Sequence, residues 1–152
     1  MKERIPLMMP TLTGKEIIYI EQVLKSKWIS DGVFLKRFEN DFSDLIGVKH
    51  CIAVANGTGA LHLALISLDL SEGDEVIIPS FCFLAAANMC IQMKLKPVFV
   101  DIDIDSWCIS ANLIAKAITK SSKAIIIIHP YGNLCDMSKL IKLSKEKNIP
   151  LI

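Results

Sequence analysis

Four short segments hold the residues that can do chemistry: Asn56-Gly57-Thr58-Gly59, Ser80-Phe81-Cys82-Phe83, the acids Asp101, Asp103 and Asp105, and His129-Pro130-Tyr131-Gly132. In the first, two glycines flank a hydroxyl residue where a strand pattern passes into a helix pattern. Free N–H groups at a helix N-terminus, with the helix dipole behind them, suit a phosphate; glycine admits close approach and the Thr58 hydroxyl can donate. The same four residues also read as an ordinary helix cap with glycines for a tight turn. They form neither a G-x-x-x-x-G-K-[ST] loop nor a full G-x-G-x-x-G fingerprint. Phe83 can present its ring to a planar ligand or fill a core. His129 can act as a base or a hydrogen-bond donor, or be structural, and no Ser-His-Asp order accompanies it. The three aspartates suggest metal ligands, but alternate residues on a turn face different ways, so no metal site is expected. Lys139, Lys142, Lys145 and Lys147 read as the solvated face and dipole partners of the last helix.

These segments need a scaffold, and the pattern supplies one. Thr13 and Glu16 have capping-box spacing with Thr13 as the cap, and Ile17, Ile18, Ile20, Val23 and Leu24 follow at helical intervals. A second helix is expected from Val33 to Ile46, striped by Leu35, Phe38, Phe42, Leu45 and Ile46 and ended by Gly47. Strands and helices then alternate. Strands are expected at Cys51–Ala55, Glu75–Ile78, Pro97–Val100 and Ala124–Ile128, with another beginning at Pro150. Helices are expected at Gly57–Leu68, within Phe83–Met93, at Ser110–Ile118 and at Met137–Lys147. Short apolar strands without alternation are buried on both faces, which implies a parallel sheet between helical layers. In such sheets ligands bind beyond the carboxyl ends of the strands, where all four segments fall.

Composition sets further bounds. With 17 basic and 16 acidic residues among 152, no basic footprint for nucleic acid or an anionic membrane is expected. Hydrophobic residues make up 52% and mean hydropathy is +0.45, yet the longest strongly apolar run, Ala124 to Ile128, is far short of a span; a membrane helix needs roughly 18–20 residues. Met1 to Pro6 lacks the apolar core of a signal peptide, so a cytoplasmic location is expected. Five cysteines, with no C-x-x-C pair, indicate neither a disulfide framework nor a zinc site.

Together the segments resemble the N-terminal part of the DegT/StrS-type sugar aminotransferases, which use pyridoxal 5′-phosphate on an aspartate-aminotransferase-like fold. The matching runs are Pro10 to Glu16, Trp28 to Gly32, Phe38-Glu39, Asn56 to Leu65, Gly73 to Pro79, Pro97 to Asp101 and His129 to Gly132, in family order over essentially the whole chain. Within the family the pattern is most similar to the perosamine synthase group, on Trp28-Ile29-Ser30, Trp107 and Cys135-Asp136-Met137.

The resemblance implies a three-layer α/β/α large domain, truncated and mostly parallel, with residues 1–47 as an N-terminal helical segment and 48–152 as the first part of the cofactor-binding domain. Carried over by position, Gly57, Thr58 and Gly59 would hold the cofactor phosphate, and Phe83 would stack on the pyridine ring. Gly59 stands where the family has a small residue such as Ser, Ala or Val, and Cys82 replaces a common threonine. His129 and Tyr131 match a segment near the cofactor and sugar, with no step assigned. The aspartate of a Glu-Asp pair that holds the pyridine nitrogen, and the Schiff-base lysine, are expected beyond Ile152. No lysine present replaces the latter by position, so no catalytic residue is expected in this chain.

The activity implied is transfer of an amino group from glutamate to a 4-keto-6-deoxy nucleotide sugar, for surface polysaccharide or a related glycan, by an enzyme that is a homodimer at full length. The chain alone is expected to be inactive, with almost no affinity for the cofactor. It is also expected to be poorly soluble or to associate, because Cys51–Ala55 would be separated from the other strands. Two alternatives stand beside this reading. One is a noncatalytic remnant or phosphate-binding α/β module. The other is a small Rossmann-like enzyme, which would need a full glycine fingerprint and an acidic ribose partner where Ser80 follows Pro79.

Overall fold

The computed structural model describes residues 4–6 and 8–152, which divide into two units, Met1–Ala53 and Val54–Ile152. Residues 1–3 and 7 of the expected N-terminal segment lie outside the described residues.

The first unit contains helices α1 (Lys15–Ser26) and α2 (Val33–Ile46). The capping box forms by half. Gly14, not Thr13, occupies the cap position with φ 87°, while the Glu16 carboxylate accepts from the Thr13 N–H at 3.0 Å and the Gly14 N–H at 2.7 Å. Those N–H donors, the Thr13 one foremost, lower the Glu16 pKa. Gly14 takes the cap because its left-handed backbone costs little without a Cβ. Gly47 ends α2 at φ 74° as expected. The two helices meet edge to face through Tyr19 and Phe34, with the Arg37 guanidinium 5.9 Å from the Tyr19 ring centre. Gly32 is required twice over: its φ is +123°, and a Cβ there would meet the Trp28 indole at 2.9 Å. Neither helix buries a side chain, so the apolar stripes of this unit remain on its surface.

Residues Cys51–Ala55, expected as a strand, form no ladder. The Ala53 N–H instead donates to the Glu39 carboxylate at 2.9 Å. A strand needs a neighbour to satisfy its backbone, and no neighbouring strand pairs with this segment among the described residues.

The second unit is built on β1 (Glu75–Pro79), β2 (Lys96–Val100) and β3 (Ser122–Ile125), all parallel in the order β2-β1-β3. Helices α3 (Gly57–Ile66), α4 (Ala85–Gln92), α5 (Ala111–Ala117) and α6 (Met137–Lys147) surround them. Leu151 extends the sheet by a parallel bridge to Ile125, as the apolar end of the sequence predicts. The third strand, expected over Ala124–Ile128, ends at Ile125. The Ile126 N–H still donates to the Ile77 carbonyl at 2.9 Å. The return bond would have to come from Pro79, which has no N–H, so the ladder stops there.

Alternation along the central strands separates two cores. Ile77 and Ile125 face α5 and α6, packing with Ile114, Leu140 and Leu143. Val76, Ile78, Ala124 and Ile126 face α3 and α4, packing with Leu65, Ala86 and Cys90. This is the three-layer α/β/α arrangement, and it explains why central β1 is apolar without alternation: both its faces are covered, whereas β2, also expected to be buried, is an edge strand with Phe99 57% exposed. Fully burying one such aliphatic side chain contributes roughly 1.5–3 kcal/mol, so these two cores carry the fold. Burial pushes the Cys90 thiol up to about 11. Cys135 rises to about 11 as well, through burial first and then its neighbour Cys108. Both are packing residues with no thiolate to offer.

Candidate functional site

The connection from α3 to β1 is short, so the C-terminal end of α3 lies at the start of the sheet and its N-terminus lies at the carboxyl edge. The loops after β1, β2 and β3 emerge on that same edge. Parallel topology thus assembles all four chemistry-bearing segments at one end of the second unit.

At the start of α3, Asn56 is the cap. Its Oδ1 accepts the Gly59 N–H at 2.9 Å and its carbonyl accepts the Ala60 N–H at 3.1 Å. Among the described residues, the Gly57 N–H, the Thr58 N–H and the Thr58 hydroxyl have no hydrogen-bond partner. No acidic residue occupies the first turn. Neither glycine has positive φ. A Cβ on Gly57 would meet nothing within 4 Å, and one on Gly59 would make only ordinary contacts, 3.6 Å to Asn56 Oδ1 and 3.8 Å to Val54. The glycines are therefore not there to make a turn. The Ala60 bond is the first ordinary bond of the helix, so the Asn56 side chain takes one donor of the first turn, the Gly59 N–H, and leaves those of Gly57 and Thr58, plus a hydroxyl, unused. That donor set suits a phosphate.

Phe83 opens the approach to α4 and is 83% exposed, so it is not a core residue. Cys82 is half-buried and burial raises its pKa. After β2, Asp101 accepts from the Ser80 hydroxyl at 3.4 Å and from the Ile102 N–H at 2.8 Å. Asp103 Oδ1 accepts the N–H groups of Asp105 and Ser106 and the Ser106 hydroxyl at 2.9–3.2 Å. These bonds, the Ser106 N–H first, hold the Asp103 carboxyl below the usual carboxylate range. Its oxygen is spent on shaping the turn. After β3, His129 Nδ1 accepts the Cys135 N–H at 3.2 Å, which places the proton of the neutral ring on Nε2.

Sequence reading missed one grouping here. The rings of Phe81, Trp107 and Tyr131 form a chain of edge-to-face contacts, with centroids 5.3 Å apart from Phe81 to Trp107 and 6.2 Å apart from Trp107 to Tyr131. Each follows a different strand. The signal was an aromatic in every post-strand loop, and only the order β2-β1-β3 makes them neighbours.

Within the first unit, Trp28 and its neighbours line a groove of about 760 Å³ between the end of α1 and the start of α2, with Val23, Ile29, Val33 and Leu35. Its walls are mainly apolar and bring together no set of donors comparable to the start of α3.

The DegT/DnrJ/EryC1/StrS aminotransferase family matches residues 10–152 of this chain. GDP-perosamine synthase of Escherichia coli O157:H7 is 43% identical over 149 residues, which cover 97% of this chain and 41% of that protein. The Vibrio cholerae GDP-perosamine synthase is 39% identical over the same shares. Among solved structures, a GDP-4-keto-6-deoxymannose-3-dehydratase with a trapped PLP-glutamate geminal diamine superimposes with TM-score 0.91 at 30% identity, covering 98% of this chain and 40% of that one. The aminotransferase from Psychrobacter cryohalolentis gives 0.87 at 32% identity, over 93% of this chain and 36% of that one. The chain thus spans about two-fifths of the length of these relatives. A three-layer parallel fold, a helix with unspent donors at its N-terminus, and a family match over nearly all its residues agree: the chain belongs to the DegT/DnrJ/EryC1/StrS aminotransferase family.

Proposed function

We propose that this chain supplies the phosphate cradle and ring-stacking wall of a pyridoxal 5′-phosphate-dependent sugar aminotransferase. The observation that supports it best is the unused donor set at the start of α3, Gly57 N–H, Thr58 N–H and Thr58 Oγ1, in a member of an aminotransferase family. Two backbone donors and a hydroxyl on the positive end of a helix match a dianionic phosphate monoester. Gly59 would contribute through close approach of its backbone, since its own N–H is held by Asn56. The exposed Phe83 ring would flank the cofactor ring. When bound, the cofactor supplies the electron sink for amino transfer. The residues of this chain bind and orient it, and none of them is assigned a proton-transfer step.

The substrate reading follows the relatives. Amino transfer from glutamate to a 4-keto-6-deoxy nucleotide sugar, in a homodimeric cytoplasmic enzyme, is the version that fits the likeness to the perosamine synthases. No helix among the described residues is long and apolar enough to cross a membrane.

The test is a hybrid in which residues 10–152 replace the matched segment of the E. coli O157:H7 enzyme. With glutamate and GDP-4-keto-6-deoxymannose, the hybrid should bind pyridoxal phosphate and form the amino sugar. A folded hybrid that binds the cofactor but transfers no amino group contradicts the substrate reading. One that cannot bind the cofactor contradicts the cradle.

A further inference from the structure

The Phe81–Trp107–Tyr131 ladder is not accounted for by the fold. Phe81 and Trp107 are 42% and 48% exposed and Tyr131 is 89% exposed, while the core beneath is already closed by Cys108, Ile109 and Cys135. Trp107 (φ 59°) and Tyr131 (φ 52°) both have left-handed backbone, which bulky side chains avoid.

The loops that carry these rings are tied together. Asn133 Nδ2 donates to the Ser106 carbonyl at 2.6 Å, joining the loop after β3 to the loop after β2. Cys108 Sγ lies 3.5 Å from the Asn133 carbonyl across the same junction. The Trp107 N–H donates to the Asp103 carbonyl at 2.8 Å, and the Asp103 N–H donates to the Cys108 carbonyl at 2.9 Å. The rings are thus held in place, in solvent, on the edge that carries the unspent donors of α3. Rigid exposed aromatic faces serve as stacking platforms for planar rings, and a pre-formed platform loses little freedom when the ring arrives.

We propose that Trp107 and Tyr131, backed by Phe81, form the platform that receives the purine base of a nucleotide-linked substrate. This rests on the nucleotide-sugar reading above and assigns residues to it that the resemblance left without a role. A base is favoured over a second phosphate site because the ladder carries no cation, and the three side chains offer ring faces with one phenol.

The chain has two tryptophans, Trp28 and Trp107, so Trp28→Phe leaves Trp107 as the only indole reporter. GDP should quench its emission saturably, whereas ribose 5-phosphate with pyrophosphate should not. Tyr131→Ala should weaken GDP binding by roughly five- to a hundredfold, the range of one lost stacking contact. Equilibrium dialysis of GDP against the unaltered chain reads the same binding without any substitution.

Absence of GDP binding by dialysis overturns the proposal, and so does equal quenching by the base-free phosphates. Emission that changes with protein concentration but not with GDP would identify the ladder as a contact between copies and also overturns it. If the hybrid transfers amino groups while GDP leaves Trp107 unmoved, the platform falls and the transferase reading stands. If the chain binds GDP while its hybrid is inactive, the platform stands and the transferase reading falls.

Discussion

The two ends of one sheet handle polar groups in opposite ways. At the amino end, the buried Glu75 carboxylate accepts from the Thr119 hydroxyl at 2.5 Å, the Ser122 hydroxyl at 3.3 Å and Lys96 Nζ at 2.9 Å. These four groups are turned on one another, and the result is a clamp across the starts of all three strands. At the carboxyl end, two N–H groups and a hydroxyl are left unused, Phe83 stands in solvent, and Trp107 and Tyr131 have unfavourable backbone. At the carboxyl end Asp103 and His129 are also satisfied by their own loops, so the difference lies in the donors of α3 and the exposed rings, which the fold leaves unused. Unused donors and tolerated strain set apart the end at which the cofactor and base sites are proposed.

That contrast can be broken or sharpened one residue at a time. The largest effect is expected between the two ends, where Ile77→Ala opens a hole in a fully buried strand; urea unfolding should show a loss of about 2–5 kcal/mol. Asn56→Ala removes the cap of α3 and should cost about 0.5–2 kcal/mol by the same measurement. It is the one change expected to affect both properties, because it frees the Gly59 N–H while loosening the helix start.

Glu75→Gln should act through pH. The Thr119 hydroxyl first, and Lys96 next, lower the Glu75 pKa in the folded chain. A depressed carboxylate contributes stability above its unfolded pKa and loses it as pH falls through the folded value. Urea midpoints measured from neutral to acidic pH should therefore fall on the acid side for the parent and fall less for Glu75→Gln. Smallest of all, Gly57→Ala should change stability by less than about 0.5 kcal/mol, since its Cβ would stand in open space. A larger loss would mean that the glycine serves the fold, and the contrast between the two ends would blur.

Much of this was legible in the sequence, for identifiable reasons. Helix α6 spans Met137–Lys147 as predicted because Asp136 caps it, accepting the Lys139 N–H at 3.2 Å, and its apolar positions have a single period. The buried strands were legible as apolar runs bounded by turns. Cys51–Ala55 was not, because composition reports a taste for sheet and cannot report whether a neighbour is there to pair. The end of β3 at Ile125 depends on Pro79 in another strand, which no local window around Ala124 contains. The candidate donors at the start of α3 were readable from Gly57 and Thr58, although the residue that takes the Gly59 N–H for the helix is Asn56. The aromatic ladder was unreadable for a different reason: Phe81, Trp107 and Tyr131 become neighbours only when the strand order is known.

The central claim is that the donors at the start of α3 exist for a phosphate, and Thr58→Val in the hybrid enzyme tests it most directly. A hydrogen bond to a charged group contributes about 1.5–3 kcal/mol, so cofactor affinity should fall by roughly ten- to a hundredfold. The thermal midpoint of the cofactor-free hybrid should stay at the parent value, because the Thr58 hydroxyl bonds to nothing within the described residues. Unchanged pyridoxal phosphate affinity in a folded Thr58→Val hybrid would contradict the account.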